Sequence, residues 1–246
     1  MLAAERANVL TDEFLGILSH EMRTPLNAVL GWVHLLRTST PSPEQLARGL
    51  TVIERNARLQ CRLIDDLLDM SGVMAGKMQI EKRRVPIAKV VDAAAESLQP
   101  AFSEKGVLLR RASVHDTAEV EGDPARLQQI VWNLLANAMK FTPAGGHVTV
   151  DVQSDDRNIN IVVADDGPGI SADFLPFVFD RFRQGDPSTR RSHGGLGIGL
   201  ALVKSLAEMH GGRVSAASDG PGKGSTFSVT LPLASPALPV SLGATA

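Results

Sequence analysis

A histidine, a glutamate and a proline stand close together in FLGILSHEMRTPLNAVLGW, the stretch from Phe14 to Trp32. Its apolar residues recur every three or four positions, which predicts a helix with one buried stripe. At about 100° per residue, His20 lies about 160° from Met22 of that stripe, so its imidazole is expected to be exposed. Glu21 can serve the imidazole as a base or as a hydrogen-bond acceptor. The stretch suggests a reactive histidine, although on its own a surface histidine without a role is the plainer interpretation.

The segment after the histidine carries two further features. Thr24 lies one turn on and shares the face of His20. Pro25 removes a backbone donor and crowds the carbonyl of Glu21, so we expect a kink just after the histidine. The buried stripe of this helix comprises Leu15, Leu18, Met22, Leu26, Val29, Val33 and Leu36.

Several later segments suit a nucleotide phosphate. Asn133, Asn137 and Lys140 in NLLANAMKF are spaced i, i+4 and i+7, on one face of one helix. Two carboxamides and an ammonium in line can hold a hard cation such as Mg²⁺ together with a phosphate. ADDGPGI and GPGKGSTF supply glycine turns, and GGLGIGL opens a helix whose backbone donors favour phosphate. These features together point to a nucleotide site.

Each segment alone also has an ordinary structural explanation, because glycine pairs mark turns and a helical asparagine pair suits a solvated face. The dinucleotide fingerprint fits badly, since the stretch before GLGIG, DRFRQGDPSTRRSHG, is polar and is not a strand. The P-loop is excluded because a glycine separates lysine from serine in GPGKGST. The loop set of eukaryotic-type protein kinases is absent from the sequence.

The histidine lies in the first of two long predicted helices, from about Glu5 to Arg37, and the second begins at Ser42 or Pro43. Gly72 and Gly76 are expected to stop the second helix. A hairpin of two amphipathic helices buries only one side of itself, so we expect pairing with a second copy into a dimeric four-helix bundle. The apolar stripe of the second helix, including a cysteine expected in the core, comprises Leu46, Leu50, Ile53, Ala57, Cys61, Ile64 and Leu68.

From about Gln79 the pattern becomes mixed α and β. The predicted strands are KMQIEKRRV, VLLRRASV, HVTVDVQ, NINIVVAD, RVSAAS and STFSVTLPL. Three helices are predicted at PIAKVVDAAAESLQPAFSEKG, with Pro100 as a possible break, at GDPARLQQIVWNLLANAMKF and at LGIGLALVKSLAEMHGG. We expect an α+β chain in which an α/β sandwich, with helices on one face of a mixed sheet, follows the hairpin. The expected divisions are 1–76, 77–234 and a linker-like tail at 235–246.

The composition of the 246 residues, 43% hydrophobic and 21% charged, is that of a soluble globular chain. A net charge of −2 does not call for nucleic acid or an anionic membrane as partner. A single cysteine excludes an internal disulfide and suits a reducing compartment. Since the sequence has neither a run of about 18 apolar residues nor a signal peptide, we expect a cytoplasmic fragment without direct membrane contact.

Taken together and in this order, these stretches resemble a bacterial two-component sensor histidine kinase from about Asp12 to Leu233. The matching boxes are FLGILSHEMRTPLN, NLLANAMKFT, DDGPGI, FVFDRFRQ, GGLGIGLALVKSLAEMHGG and GKGSTF. The resemblance implies a HisKA-type dimerisation and phosphotransfer hairpin followed by a GHKL-type ATP-binding domain. Its expected activity is that of a protein-histidine kinase, and both ends look like linkers cut from a longer sensor, such as a hybrid kinase.

By the same resemblance, His20 is the phosphoacceptor that attacks the γ-phosphorus of ATP, and Glu21 orients or accepts the proton of the other ring nitrogen. A polar residue at Thr24 can position water for phosphatase activity toward the regulator. The phosphoryl group is expected to pass to an aspartate of a response-regulator receiver domain, in trans or within a hybrid parent chain.

The resemblance also assigns the nucleotide site. Asn137 would bind Mg²⁺ with Asn133 assisting, Lys140 would reach the phosphates, and Asp165 would accept from the adenine amino group. Phe179 and Phe182 would anchor a lid from about Arg183 to Gly194, in which Arg190 or Arg191 could touch a phosphate. The nucleotide contacts expected besides these are Gly167, Gly169, Gly195, Leu196, Gly197, Gly199 and Thr226.

Two other classes of protein share part of this pattern. A scaffold module that binds ATP and signals by conformation would be expected to have lost one of His20, Glu21, Asn137 and Asp165, and the sequence retains all four. Another GHKL ATPase, such as a clamp-type chaperone or a topoisomerase subunit, would lack the histidine segment Phe14–Asn27.

Overall fold

The computed structural model describes residues 2–114, 118–183 and 196–234. They belong to two compact units, one of Met1–Gln79 with Ile170–Ser205 and one of Ile80–Gly169 with Leu206–Ala246. The fold is α+β, with a helical N-terminal part followed by a mixed sheet with helices, as the sequence predicted. No helix among the described residues is both long and apolar enough to cross a membrane.

The helical hairpin consists of α1, Leu2–Thr38, and α2, Pro43–Met74. Helix α1 continues through Pro25, which is buried. Helix α2 begins with a capping box, in which Ser42 Oγ accepts from the Gln45 N–H at 3.2 Å and the Gln45 side chain accepts from the Ser42 N–H at 3.1 Å. It passes through Gly72 and ends at Met74.

The two helices meet closely at Gly49, where an added Cβ would lie 2.8 Å from Cε3 of Trp32. The predicted stripe of α2 faces largely away from this contact, so Leu50 and Leu68 are 54% and 64% exposed in the single chain. Cys61, expected in the core, is exposed. That expectation was wrong for the single chain because Cys61 lies about 120° around α2 from Gly49, where α1 cannot cover it.

The second unit contains two sheets and two long helices. The strands are β1, Arg83–Pro86; β2, Leu108–Val114; β3, Glu119–Gly122; β4, His147–Ser154; β5, Asn158–Asp165; β6, Arg213–Ala217; and β7, Ser225–Pro232. Helix α3 spans Ile87–Lys105 and α4 spans Pro124–Phe141. The main sheet has the order β2-β4-β5-β7-β6, with β2 parallel to β4 and the other pairs antiparallel, while β1 and β3 form a separate antiparallel pair.

The core of this unit lies between the main sheet and the two helices. Alternate residues of β4 and β5 are fully buried while their neighbours are half-exposed, which is the pattern of a sheet covered on one face. Helices α3 and α4 contact each other and this sheet. The buried strand residues are Val148, Val150, Val152, Ile159, Ile161 and Val163.

Three local predictions differ from the structure. The strand KMQIEKRRV is reduced to Arg83–Pro86, because among the described residues this segment pairs with one strand, the four-residue β3. Strand β3 itself was not predicted, since EVEG is too short and too acidic to show a pattern. Pro100 lies inside α3 without ending it, because it is on the exposed face, where water can bond the freed carbonyl.

In the first unit, a 3₁₀ turn spans Leu175–Phe177. Helix α5 spans Gly199–Met209, and its residues from Leu206 onward belong to the second unit. Helix α5 had been predicted from Leu196. The linker-like tail at 235–246 lies outside the described residues.

Candidate functional site

His20 is exposed on α1, as its position on the helical wheel predicted. Its side chain is 80% accessible, and Nδ1 lies 3.6 Å from Oε1 of Glu21, whose own side chain is only 20% accessible. A carboxylate beside Nδ1 favours the tautomer that carries its proton there. The lone pair is then on Nε2, the ring nitrogen available to an electrophile from solvent.

Thr24 lies one turn beyond His20 and is also exposed. Its Oγ1 donates to the backbone carbonyl of His20 at 3.1 Å. This bond keeps the hydroxyl against the turn that carries the histidine, on the same side of α1.

The asparagine helix α4 is held at both ends by side chains. Asp123 is its N-cap, and Oδ1 accepts from the backbone N–H groups of Ala125 and Arg126 at 3.0 and 3.3 Å. At the other end, Lys105 Nζ donates to the carbonyls of Met139 and Lys140 at 2.7 Å each. Burial lowers the pKa of Lys105. Lys105 was not singled out from the sequence, because nothing local links it to a helix 35 residues away.

The three polar residues of α4 are unequally accessible. Asn133 is 8% exposed, and its Nδ2 donates to the Gln129 carbonyl at 3.0 Å, so Oδ1 is the atom that can face a cation. Asn137 and Lys140 are half-buried. Lys140 Nζ lies 4.8 Å from the centroid of the Phe141 ring.

Asp165, at the end of β5, is held by donors from two residues. Ser225 Oγ donates to Oδ2 at 2.6 Å, and the Gly167 N–H donates to Oδ1 at 2.9 Å. Burial raises the pKa of the Asp165 carboxyl, and these hydrogen bonds act in the opposite direction. The Ser225 N–H is a further donor to this carboxylate. A carboxylate has about four lone-pair sites, so these bonds leave capacity for one ligand donor.

The hydroxyl that reaches Asp165 belongs to Ser225, which the sequence analysis did not single out. Ser225 pairs directly with Asp165 in the β5–β7 ladder, whereas Thr226 pairs with Ala164. Because neighbouring strand residues point to opposite faces, Thr226 is turned away from the carboxyl group. Ser225 could have been identified only from the register of β5 and β7, and this register cannot be predicted from the sequence.

Glycines let the backbone close around Asp165. A Cβ at Gly167 would lie 2.7 Å from Oδ1 of Asp165, and a Cβ at Gly224 would overlap the Asp165 backbone carbonyl. Gly224 also has φ +68°, a conformation that suits glycine. Gly169 approaches the backbone of Gly220 in the same way.

Of the remaining predicted nucleotide residues, those that the structure describes lie in the first unit. Phe179 and Phe182 are half-buried, and the Phe182 N–H donates to the Gly197 carbonyl at 3.0 Å. Leu196 is buried and Gly199 begins α5. Gly195 and the lid positions 184–194, with Arg190 and Arg191, lie outside the described residues.

Two families match this chain. Residues 11–76 match the His Kinase A (phospho-acceptor) domain. Residues 122–235 match the family of histidine kinase-, DNA gyrase B- and HSP90-like ATPases. The hybrid signal transduction histidine kinase D of Dictyostelium discoideum is 36% identical to this chain. The match covers 90% of this chain and 17% of that protein.

Solved structures of histidine kinases are similar to it as well. Full-length ShkA, crystallised with AMPPNP, is 33% identical with a TM-score of 0.66, over 92% of this chain and 47% of that one. The mycobacterial sensor histidine kinase MprB is 30% identical with a TM-score of 0.52, over 62% of this chain and 98% of that one. The chain spans less than half of the length of the full-length relatives that it matches.

Proposed function

The chain belongs to the two-component sensor histidine kinases, and from this membership we propose that it phosphorylates itself on His20 with Mg²⁺-ATP. The phosphoryl group then passes to an aspartate of a response-regulator receiver domain. The observation that carries the proposal is the pair formed by the exposed His20 imidazole and Glu21, whose carboxylate lies 3.6 Å from Nδ1.

The histidine chemistry follows from that pair. With the proton on Nδ1 facing Glu21, the Nε2 lone pair attacks the γ-phosphorus of ATP. An Nε2–P bond forms, the bond from phosphorus to the β,γ-bridging oxygen breaks, and ADP leaves with that electron pair. Glu21 stabilises the positive charge on the phosphorylated imidazole. In the second step a receiver carboxylate attacks phosphorus, and the P–N bond breaks with its electrons returning to Nε2.

The described nucleotide residues suit ATP. Asp165 is held in place by Ser225 and Gly167 and has acceptor capacity left for the adenine amino group. Lys140 is on the same face of α4 as Asn133 and Asn137, and its positive charge would offset the negative charge of the phosphates. Phosphoryl transfer depends mainly on positioning and on neutralising charge, and these residues supply both.

Asn137 and Asn133 would hold Mg²⁺ through their carboxamide oxygens. Their fit is supported by the donor set, because Mg²⁺ prefers oxygen ligands and keeps several waters, and by the Asn133 amide bond to Gln129, which leaves Oδ1 to face a cation. When bound, the ion would neutralise phosphate charge.

The hairpin supports two further parts of the proposal. The exposed apolar side chains of α2 suit burial against a second copy, so the active form is a homodimeric four-helix bundle. Thr24, held one turn beyond His20, suits a water-positioning role in dephosphorylation of the regulator. The regulator domain could stand in trans or follow in a hybrid parent chain.

The test is transfer of label from γ-labelled ATP to the chain, with and without Mg²⁺, in wild type, His20→Gln and His34→Gln. His34 is a matched control, because it is an exposed histidine on the same helix. We expect acid-labile, alkali-stable label in wild type and His34→Gln and none in His20→Gln. Label that persists in His20→Gln would mean that another residue is the phosphoacceptor.

A further inference from the structure

His210 accepts a hydrogen bond from the backbone of Asp123, at the start of the helix that carries Asn133, Asn137 and Lys140. We propose that His210 is a positioning residue of the nucleotide site, acting as an uncharged imidazole that accepts a hydrogen bond from the N-cap of α4. The inference rests on the proposed function, because α4 matters through Asn133, Asn137 and Lys140.

The ring of His210 has both nitrogens engaged. The residue follows α5 directly and is 3% exposed. The backbone N–H of Asp123 lies 3.0 Å from Nε2, and Nδ1 lies 2.7 Å from the Leu206 carbonyl oxygen. A backbone amide only donates and a carbonyl only accepts, so Nε2 is unprotonated and Nδ1 carries the proton. The contacts therefore select one tautomer and exclude the imidazolium form.

The surroundings favour the same state. Burial lowers the pKa of His210, the Leu206 carbonyl and Asp123 act against that shift, and Lys82 adds to it. Gly122 provides the space, because a Cβ there would lie 2.6 Å from Cδ2 and 3.0 Å from Nε2 of the ring. The junction between β3 and α4 is thus shaped to receive an imidazole.

The hydrogen bond that Asp123 donates to His210 adds to the other bonds that hold Asp123 in place. The carboxylate of Asp123 already accepts from Ala125 and Arg126 of α4 and, through Oδ2, from the Glu81 N–H at 3.2 Å. His210 takes the backbone N–H of the same residue, from an element 87 positions away. The N-terminal end of α4 is therefore fixed from three directions.

The anchor can reach the nucleotide residues through the helix itself. Asn133 lies ten residues after Asp123, about 15 Å along a rigid helix. Ligand-binding side chains must be held to within about 0.5 Å, so a small shift at the N-cap is enough to misplace the asparagines.

Two substitutions separate the role of Nε2 from the volume of the ring. His210→Gln places an amide oxygen near the position of Nε2 and retains the acceptor for Asp123. His210→Asn places its polar atoms near Nδ1 and leaves the Asp123 N–H without an acceptor. Thr230→Val is the control for general destabilisation, because it removes the 2.7 Å bond from Oγ1 to Asn160 on β5 without touching α4.

The Kd for Mg²⁺-ATP is measured calorimetrically in a His20→Gln background, where no phosphoryl transfer to that residue can occur, alongside the melting temperature. We expect His210→Asn to raise Kd about tenfold, because an unpaired Asp123 donor favours displaced positions of the N-cap and leaves about one-tenth of the molecules with α4 in its binding position. His210→Gln should remain near the parent value. Thr230→Val should lower the melting temperature without changing Kd. Nitrogen NMR of the parent should show His210 protonated at Nδ1 and not at Nε2.

The proposal is overturned if His210→Asn lowers the melting temperature but leaves Kd unchanged, or if NMR finds the proton on Nε2. Failure of the proposed function is a separate result. A chain whose Kd depends on His210 but whose His20 takes no label would reject the kinase and support the positioning role. A chain that binds no nucleotide would overturn both.

Discussion

Replacing Ser225 by alanine removes the hydroxyl that donates to Oδ2 of Asp165 at 2.6 Å. A hydrogen bond to an ionised group contributes about 1.5–3 kcal/mol, and the lower value applies because this pair is only partly buried. If that contribution orients Asp165 toward adenine, its loss should raise the Kd for ADP roughly tenfold.

The same substitution should change the pH dependence of binding. Burial raises the pKa of Asp165, and the Ser225 hydroxyl is the largest influence that lowers it. Without the hydroxyl the pKa rises further. Since the adenine amino group donates to the ionised carboxylate, affinity falls as pH falls through this pKa. The acid limb of the affinity profile should therefore move to higher pH in Ser225→Ala.

The measurement is calorimetric titration with ADP and Mg²⁺ over a pH series, with Thr226→Val as the companion variant. Thr226 is the adjacent hydroxyl, which the family resemblance assigned to the nucleotide site, but its side chain lies on the other face of β7. We expect Thr226→Val to bind like wild type. Weaker binding in Thr226→Val, with unchanged affinity and pH profile in Ser225→Ala, would refute the reasoning.

Two glycine pairs give further tests. Gly49→Ala should lower the melting temperature, because its Cβ would lie 2.8 Å from the Trp32 ring, an overpacking that costs about 1–3 kcal/mol. Gly31→Ala should raise the melting temperature, because nothing lies within 4 Å of its Cβ and alanine has the higher helix propensity. Equal shifts of the two variants in circular-dichroism melts would contradict the close contact between Gly49 and Trp32. Gly224→Ala should weaken ADP binding more than Gly222→Ala, since both have positive φ but only the Gly224 Cβ would overlap a backbone carbonyl of β5. Equal losses in titration would assign the effect to backbone strain alone.

Many of the helices and strands of this protein could be predicted from local sequence patterns. The exposure of His20 follows from the period of its own helix, and the start of α4 follows from Asp123 and Pro124, because helix faces and caps depend on residues a few positions apart. The β4–β5 hairpin likewise follows from two alternating runs around a polar turn. The ordered boxes were enough to indicate the family.

The hydrogen bonds that could not be predicted from the sequence connect residues that are far apart along the chain. Ser225 and Asp165 are 60 positions apart, and His210 and Asp123 are 87 apart. Such pairs depend on strand register and on which helix end meets which turn. The exposure of Cys61 was decided in the same way, since only the packing of α1 on α2 selects the covered face. Local periodicity therefore indicated most of the helices and strands and the exposure of His20. Tertiary packing determined which side chains hold Asp165 and Asp123 in place, because each of these hydrogen bonds needs two surfaces that only folding brings together.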